Sequence, residues 1–295
     1  MKKLFAALLI LVLCLFCALA CAESVTAIDM KGRAFTLPAP ATRVLAVSAA
    51  DCEILYALGA GDTLVGRGEY CDYPAEVLSL PVVSSGAELN LEQIIALSPQ
   101  VVLISTMAQT IEHVESLERA GITVVVSEST DIRGVYESIA LIGAVTGKTS
   151  EADALIARMQ EDFAAIREKT ADTDKTVYFE ISPLEWGLWT AGANTFMDEI
   201  GEICGLKNVF SDVDGWAAIS QEQVIERSPD YIVTTMVAYE GSPTPEEEII
   251  ARAGWDKIHA VANNRVFRAD NDAFTRPGPR LVDAAQSLCD FITAE

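Results

Sequence analysis

Three groups of residues in this chain are of types and spacings that suit chemistry. The first is aromatic: Tyr70 and Tyr73, Trp186 and Trp189, Trp216, and Phe274. Any one of them can be core packing, but as a set they suit a large, flat, partly apolar ligand. The second is cationic: Arg67, Arg276 and Arg280. Arginine beside an aromatic can hold an anionic side group of a ligand, although Arg280 fits a structural ion pair equally well. The third is a pair of carboxylates, Glu92 and Glu222, at the same place in two similar segments. One glutamate at a helix N-terminus merely favours the helix dipole. Two related by internal symmetry also fit a dimeric basic partner. The chain has no G-x-S-x-G elbow, no Walker loop and no zinc-type Cys or His spacing, so no catalytic or metal-ligand set is assigned. With only His113 and His259, a multi-histidine metal cage is excluded. A secreted enzyme that uses Cys71 or a bound metal stands as the alternative to a binding protein.

The elements that must position these residues alternate between strand and helix. Strands are predicted at 44–47, 64–66, 101–105 and 124–126, with helices at 51–58, 91–97, 111–120 and 135–145 between and after them. That rhythm argues for parallel sheets covered by helices. A short hairpin at 25–29 and 34–37 precedes it. From Glu151 to Lys169 there is no Gly or Pro, and Leu155, Met159, Phe163 and Ile166 mark one face of a long amphipathic helix. Thr149-Ser150 is its predicted N-cap. Beyond it the α/β rhythm resumes, with strands at 177–181, 231–235 and 265–268. The aromatics fall in predicted loops beyond strand ends, where open α/β sheets bind ligands.

An internal repeat organises the whole. Residues 91–106 read LEQIIALSPQVVLIST and residues 221–236 read QEQVIERSPDYIVTTM. In each, a helix runs through Glu-Gln, breaks at Ser-Pro and enters a buried strand. One generic unit recurring in a single sheet is the plainer account. The long helix lying between the copies favours two related α/β lobes, each with a mainly parallel central sheet, joined by that helix, with a ligand cleft between them. The expected boundaries are a secretion signal at 1–22, an N-terminal lobe at 25–147, a linking helix at 148–172 and a C-terminal lobe at 173–295.

The chain has 295 residues, and its formal charge is −22. Nucleic acid is excluded as a partner, because neutralising phosphates needs a basic face. Apolar residues make up 51%, enough for a real core. Lys2-Lys3, an apolar run from Leu4 to Leu19 and the small residues around Cys21 read as a secretory signal. Cleavage after Ala20 or Ala22 competes with lipid modification of Cys21. The protein is therefore expected outside the cytoplasm, touching membrane only through a lipid anchor or a membrane partner. Four of the seven cysteines, Cys52, Cys71, Cys204 and Cys289, then remain in the body. They can form two bridges in three possible pairings, or stay as buried thiols.

The segments GRGEYCDYP (66–74), NLEQI (90–94) and RPGPR (276–280), with the two lobes and the long helix, resemble the helical-backbone substrate-binding proteins of ABC importers. These carry vitamin B12, ferric siderophores or haem. The resemblance covers roughly residues 42–295, and the cobalamin-binding members are the most similar in pattern. It implies no intrinsic cofactor and no enzymatic activity. It implies a corrinoid or ferric-chelate ligand, a permease dimer as partner and a monomeric binding protein. Residue by residue, it implies Tyr70, Trp189, Trp216, Phe274 and Arg276 as ligand contacts, with Arg67 or Arg276 at the polar edge. Glu92 and Glu222 match the permease-docking glutamates, and Cys204 and Cys289 match a lobe-two disulfide. Gly86 and Ser105 stand where such members can carry aromatics, which leaves room for another corrinoid or a ferric complex.

Overall fold

The computed structural model describes residues 24–85, 88–105, 111–170, 174–239 and 241–294. The predicted leader, its lipidation candidate Cys21 and the position of Gly86 lie outside them. Strands β1 (Val25–Ile28) and β2 (Ala34–Leu37) form the expected antiparallel hairpin. The first lobe follows with β3 (Val44–Ala46), α1 (Ala49–Ala57), β4 (Leu64–Arg67), and the two-residue strands β5 (Ser84–Ser85) and β6 (Glu88–Leu89). It continues with α2 (Leu91–Leu97), β7 (Val101–Ile104), α3 (Ile111–Arg119), β8 (Thr123–Val126) and α4 (Ile132–Thr146). Its sheet has the order β4-β3-β7-β8, parallel throughout. Every residue of the Val-Val-Leu-Ile strand β7 is buried, as expected where helices cover both faces.

Helix α5 (Thr149–Lys169) is the long linker. At ~1.5 Å per residue it spans about 30 Å. Leu155, Met159, Phe163 and Ile166 are buried on one face, as their spacing predicts. Thr149 and Ser150 lie inside the helix rather than capping it; Lys148 takes the N-cap position without a side-chain bond. The buried face joins a continuous core that includes Ile139 and Val145 from α4 and residues of the second lobe. Each such large apolar side chain stabilises the fold by roughly 2 kcal/mol.

The second lobe has β9 (Thr176–Ser182), β10 (Trp189–Ala191), α6 (Phe196–Ile203), β11 (Lys207–Asn208), β12 (Trp216–Ala218) and α7 (Gln221–Arg227). Then come β13 (Tyr231–Thr234), α8 (Pro245–Ala251), α9 (His259–Ala262), β14 (Val266–Arg268), α10 (Asn271–Thr275) and α11 (Leu281–Thr293). The sheet order is β12-β10-β9-β13-β14, with β11 also on β9. Strands β9, β11, β13 and β14 run parallel, whereas at one edge β10 pairs antiparallel with β9 and β12 antiparallel with β10. Trp189 and Trp216 therefore sit in strands, not in the predicted loops.

The repeat is structural. Helix α2 and strand β7 in one lobe match α7 and β13 in the other, element for element. Asn90 and Ser220 cap the two helices by accepting from the amides of Gln93 and Gln223. Ser98 and Ser228 end them in the left-handed conformation, φ 47° and 40°. Ile94 and Val224 are fully buried at the equivalent position.

Candidate functional site

Parallel strands present their carboxyl ends to a ligand crevice, and two cavities open there. The first, of about 330 Å³, caps the N-terminal lobe and is closed by Thr275-Arg276-Pro277 from the C-terminal lobe. Ser48 follows β3, Ser105 follows β7 and Ser127 follows β8, and all three line it with Asp51 from the first turn of α1. Tyr70, 67% exposed, stands at its mouth. Behind it the hydroxyls of Ser127 and Ser138 are 3.1 Å apart, and those of Ser129 and Ser138 are 2.8 Å apart. Burial pushes the Asp51 carboxyl up to about 7, although a hydrogen bond from Ser127 works against that rise.

The second cavity, of about 400 Å³, lies beyond the ends of β9 and β13. Leu184, Trp186, Met236, Val237 and Tyr239 line it together with Glu180, Glu185 and Glu248. On its floor Glu180 is fully buried and receives both terminal nitrogens of Arg252, at 2.6 and 3.0 Å. The guanidinium also pairs with Glu248 and stacks 4.4 Å over Trp255. Burial raises the Glu180 carboxyl more than Arg252 lowers it.

The predicted ligand residues separate. Tyr70 and Arg276 meet at the first cavity. Arg276 is not a free cation, because it pairs with Glu53 (3.1 Å), Asp72 (2.6 Å) and Asp272 (2.7 Å). Its hydrogen bond holds the Asp72 carboxyl below the usual carboxylate range. Arg280 doubles the contact to Glu53 and packs 4.4 Å over Tyr73, so the Arg-Pro-Gly-Pro-Arg loop locks one lobe to the other. Trp189 and Trp216 are 42% and 36% exposed. The register of β10 and β12 puts both on one face of that ribbon. Trp216 packs against Phe196, whose amide bonds Thr130 at the junction of the lobes.

Two predictions are overturned. Phe274 is fully buried and packs on Phe267, because α10 turns it into the core. Arg67 is also buried, and one terminal nitrogen donates to the carbonyls of Gly68, Glu69 and Cys71 at 3.0–3.2 Å. It shapes the loop that carries Tyr70 rather than facing the cleft.

A model of the family described as periplasmic binding protein matches residues 44–273. The chain belongs to the periplasmic binding protein family. An uncharacterized ABC transporter substrate-binding lipoprotein of Bacillus subtilis is 34% identical over 275 residues, 91% of this chain and 85% of that one. A cobalamin-binding protein of Halobacterium salinarum is 30% identical, covering 90% of this chain and 73% of its own. Among solved structures, a possible iron-binding periplasmic solute-binding protein of Staphylococcus epidermidis gives a TM-score of 0.74 at 30% identity. That match covers 85% of this chain and 98% of the other. These relatives bear the names of binding and transport proteins, not of enzymes.

In this periplasmic binding protein all four body cysteines are free and buried. The bridge expected between Cys204 and Cys289 is not formed; the Cys204 thiol turns instead to the Ala285 carbonyl, 3.3 Å away. Burial pushes that thiol up to about 12. Cys71 is no exposed nucleophile, since its thiol is buried against the carbonyls of Ala46 and Val47. No cluster of three His, Cys, Asp or Glu able to hold a metal occurs among the described residues. No helix among them is long and apolar enough to cross a membrane. Glu92 and Glu222 are both exposed in the first turns of α2 and α7. Sequence reasoning missed Asp51, the serine wall and the Met236–Tyr239 segment. The available signal was a serine within two residues of the end of each of three buried strands, β3, β7 and β8.

Proposed function

We propose that this periplasmic binding protein captures a corrinoid outside the cytoplasm and delivers it to the permease of an ABC importer. The observation that carries the ligand class is electrostatic. Arg276 is the only cation lining either cavity among the described residues, and three carboxylates already neutralise it. A haem carboxylate or an anionic siderophore would enter without a counter-charge, at a cost that desolvation makes severe. A large uncharged ring would lose nothing there and would gain from stacking. Tyr70 at the cleft mouth, with Trp189 and Trp216 on their ribbon, is the proposed aromatic contact set, and Arg276 borders the ligand as part of its ion-pair lock. The cobalamin-binding name of the Halobacterium relative supports the same reading.

The lobes are proposed to divide at 25–147, 148–172 and 173–295. The protein acts as a monomer with no cofactor of its own and no catalytic step. Residues 1–22 direct secretion, and the lipoprotein name of the Bacillus relative favours a lipid anchor on Cys21. Glu92 and Glu222 dock on basic residues of the permease dimer. A ferric complex is the second reading, favoured by the possible iron-binding description of the Staphylococcus structure.

The test is a visible-absorption titration of the purified protein with cyanocobalamin, haemin and ferric hydroxamate in turn. Cyanocobalamin is expected to bind, and the alanine variant of Trp216 to bind it about tenfold or more weakly. Tight haemin binding with none of cyanocobalamin would remove the corrinoid reading.

A further inference from the structure

The proposed ligand has a face that the serine-lined first cavity must read. Asp51 is 2% exposed, and its Oδ2 has no hydrogen-bond partner. A buried, unpartnered carboxyl oxygen is costly in a finished core, yet the residue that carries this one belongs to the lining of a cavity of about 330 Å³. Ser48, Ser105 and Ser127 share that wall and can each donate or accept. The charged groups around it are Glu128, which is bridged to Lys31, and the neutralised Arg276. The Cys52 thiol lies beside Asp51 on α1.

We infer that Asp51 and the serine wall form a subsite for a primary carboxamide on the ligand's rim. The –NH₂ group of a carboxamide supplies the donor that Oδ2 lacks, and its C=O accepts from a serine hydroxyl. It remains complementary whether Asp51 is ionised or protonated, because it offers both a donor and an acceptor. A carboxylate in the same place brings a second negative charge toward Asp51 and Glu128, with no free cation to offset it. An ammonium group suits Asp51 but leaves the serine donors without an acceptor. Asp51 is thus a specificity-determining residue that separates amide-bearing from acid-bearing ligands.

This inference rests on the corrinoid reading, and its test separates the two. The probes are cyanocobalamin and its monocarboxylic acids, in which a single peripheral carboxamide is hydrolysed. Wild-type protein is expected to bind cyanocobalamin and to bind at least one acid isomer about tenfold or more weakly, the loss usual for an unpaired buried polar contact. Asp51→Asn restores a donor toward that carboxylate, so the discrimination against that isomer should fall at least severalfold. Discrimination unchanged in Asp51→Asn overturns the role of Asp51 and leaves the corrinoid reading intact. The wild-type series needs no variant to fold: equal affinity for every isomer also overturns the subsite. Failure of wild-type protein to bind cyanocobalamin overturns both.

Discussion

Helix α2 with strand β7, and helix α7 with strand β13, agree down to backbone detail. Both helices are capped at the same position, both bury one aliphatic residue in the middle turn, and both end on a left-handed serine before a buried proline. Past the strands the agreement stops. Ser105 lines the first cavity after β7 among other serines, whereas Met236 lines the second after β13 beside aromatic and aliphatic side chains. The buried acids differ too: Asp51 keeps an unpaired oxygen, while Glu180 is held in a fork by Arg252. What the lobes share lies on their outer helices, and what they do not share lies on the cleft. That division fits a two-fold partner outside and an asymmetric ligand inside.

The largest effect tests the shared part. Glu92 and Glu222, with the exposed Ile95 and Ile225 one turn on, give each lobe the same acidic and apolar tip. Reversing both charges to lysine should reduce uptake of the ligand by intact cells to background. Affinity of the purified protein should not change. Two weak contacts made together gain by effective concentration, so each single reversal should fall between. If one single reversal were as severe as the double and the other silent, the lobes would not act as a pair.

The fold was largely legible because its period is written in burial. Strand 101–104 is a continuous apolar run, strand 231–234 is one up to its closing Thr234, and α5 shows its spacing plainly. The ribbon carrying Trp189 and Trp216 was not legible. Its strands are three residues each and depend on pairing with β9, a tertiary fact without local signature. The site was half legible. Tyr70 and Arg276 carry recognisable chemistry in their own segments. Asp51 looks like an ordinary first-turn acid until the sheet brings serines from distant strand ends beside it. Phe274 and Arg67 misled for the converse reason, since residue type cannot tell a cleft-facing ring or guanidinium from one turned inward.

The second comparison concerns the two buried acids. Replacing Glu180 with leucine leaves Arg252 buried with only Glu248, and breaking such a pair typically costs ~3–5 kcal/mol. Urea unfolding at neutral pH should show a loss of about that size. A loss under ~1 kcal/mol would mean that Glu248 alone suffices to hold Arg252.

Asp51 should behave in the opposite sense, and only as pH rises. Its folded pKa of about 7 lies above the ordinary 3.8, so the folded chain holds this proton more tightly than the unfolded one. The stability that comes from this is complete below the unfolded value and is lost as pH rises through about 7. At ~1.4 kcal/mol per unit, the loss between about pH 4 and about pH 8 approaches ~4 kcal/mol. Asp51→Asn lacks this dependence. Its stability relative to wild type should improve steadily over that range, read from urea midpoints at several pH values. A constant difference would show that the carboxyl is hydrated and not held by burial.

The smallest effect examines how deep the repeat runs. Ser98 and Ser228 both occupy φ near +45°, which glycine adopts without strain. Yet their hydroxyls do different work. Among the described residues Ser98 Oγ donates only to Ile95 in its own helix, at 3.3 Å. Ser228 Oγ accepts from the amide of His259, 3.1 Å away at the start of α9. Ser98→Gly should therefore raise stability by up to ~1 kcal/mol through relief of the left-handed strain. Ser228→Gly gains the same relief but removes the acceptor of the His259 amide, a loss of ~1 kcal/mol that cancels it. Thermal melts of the two variants should differ by a few degrees, with Ser98→Gly the more stable. Equal melts would mean that the His259 amide finds water as readily as serine, and the repeat would then be energetically as well as geometrically symmetric at its helix ends.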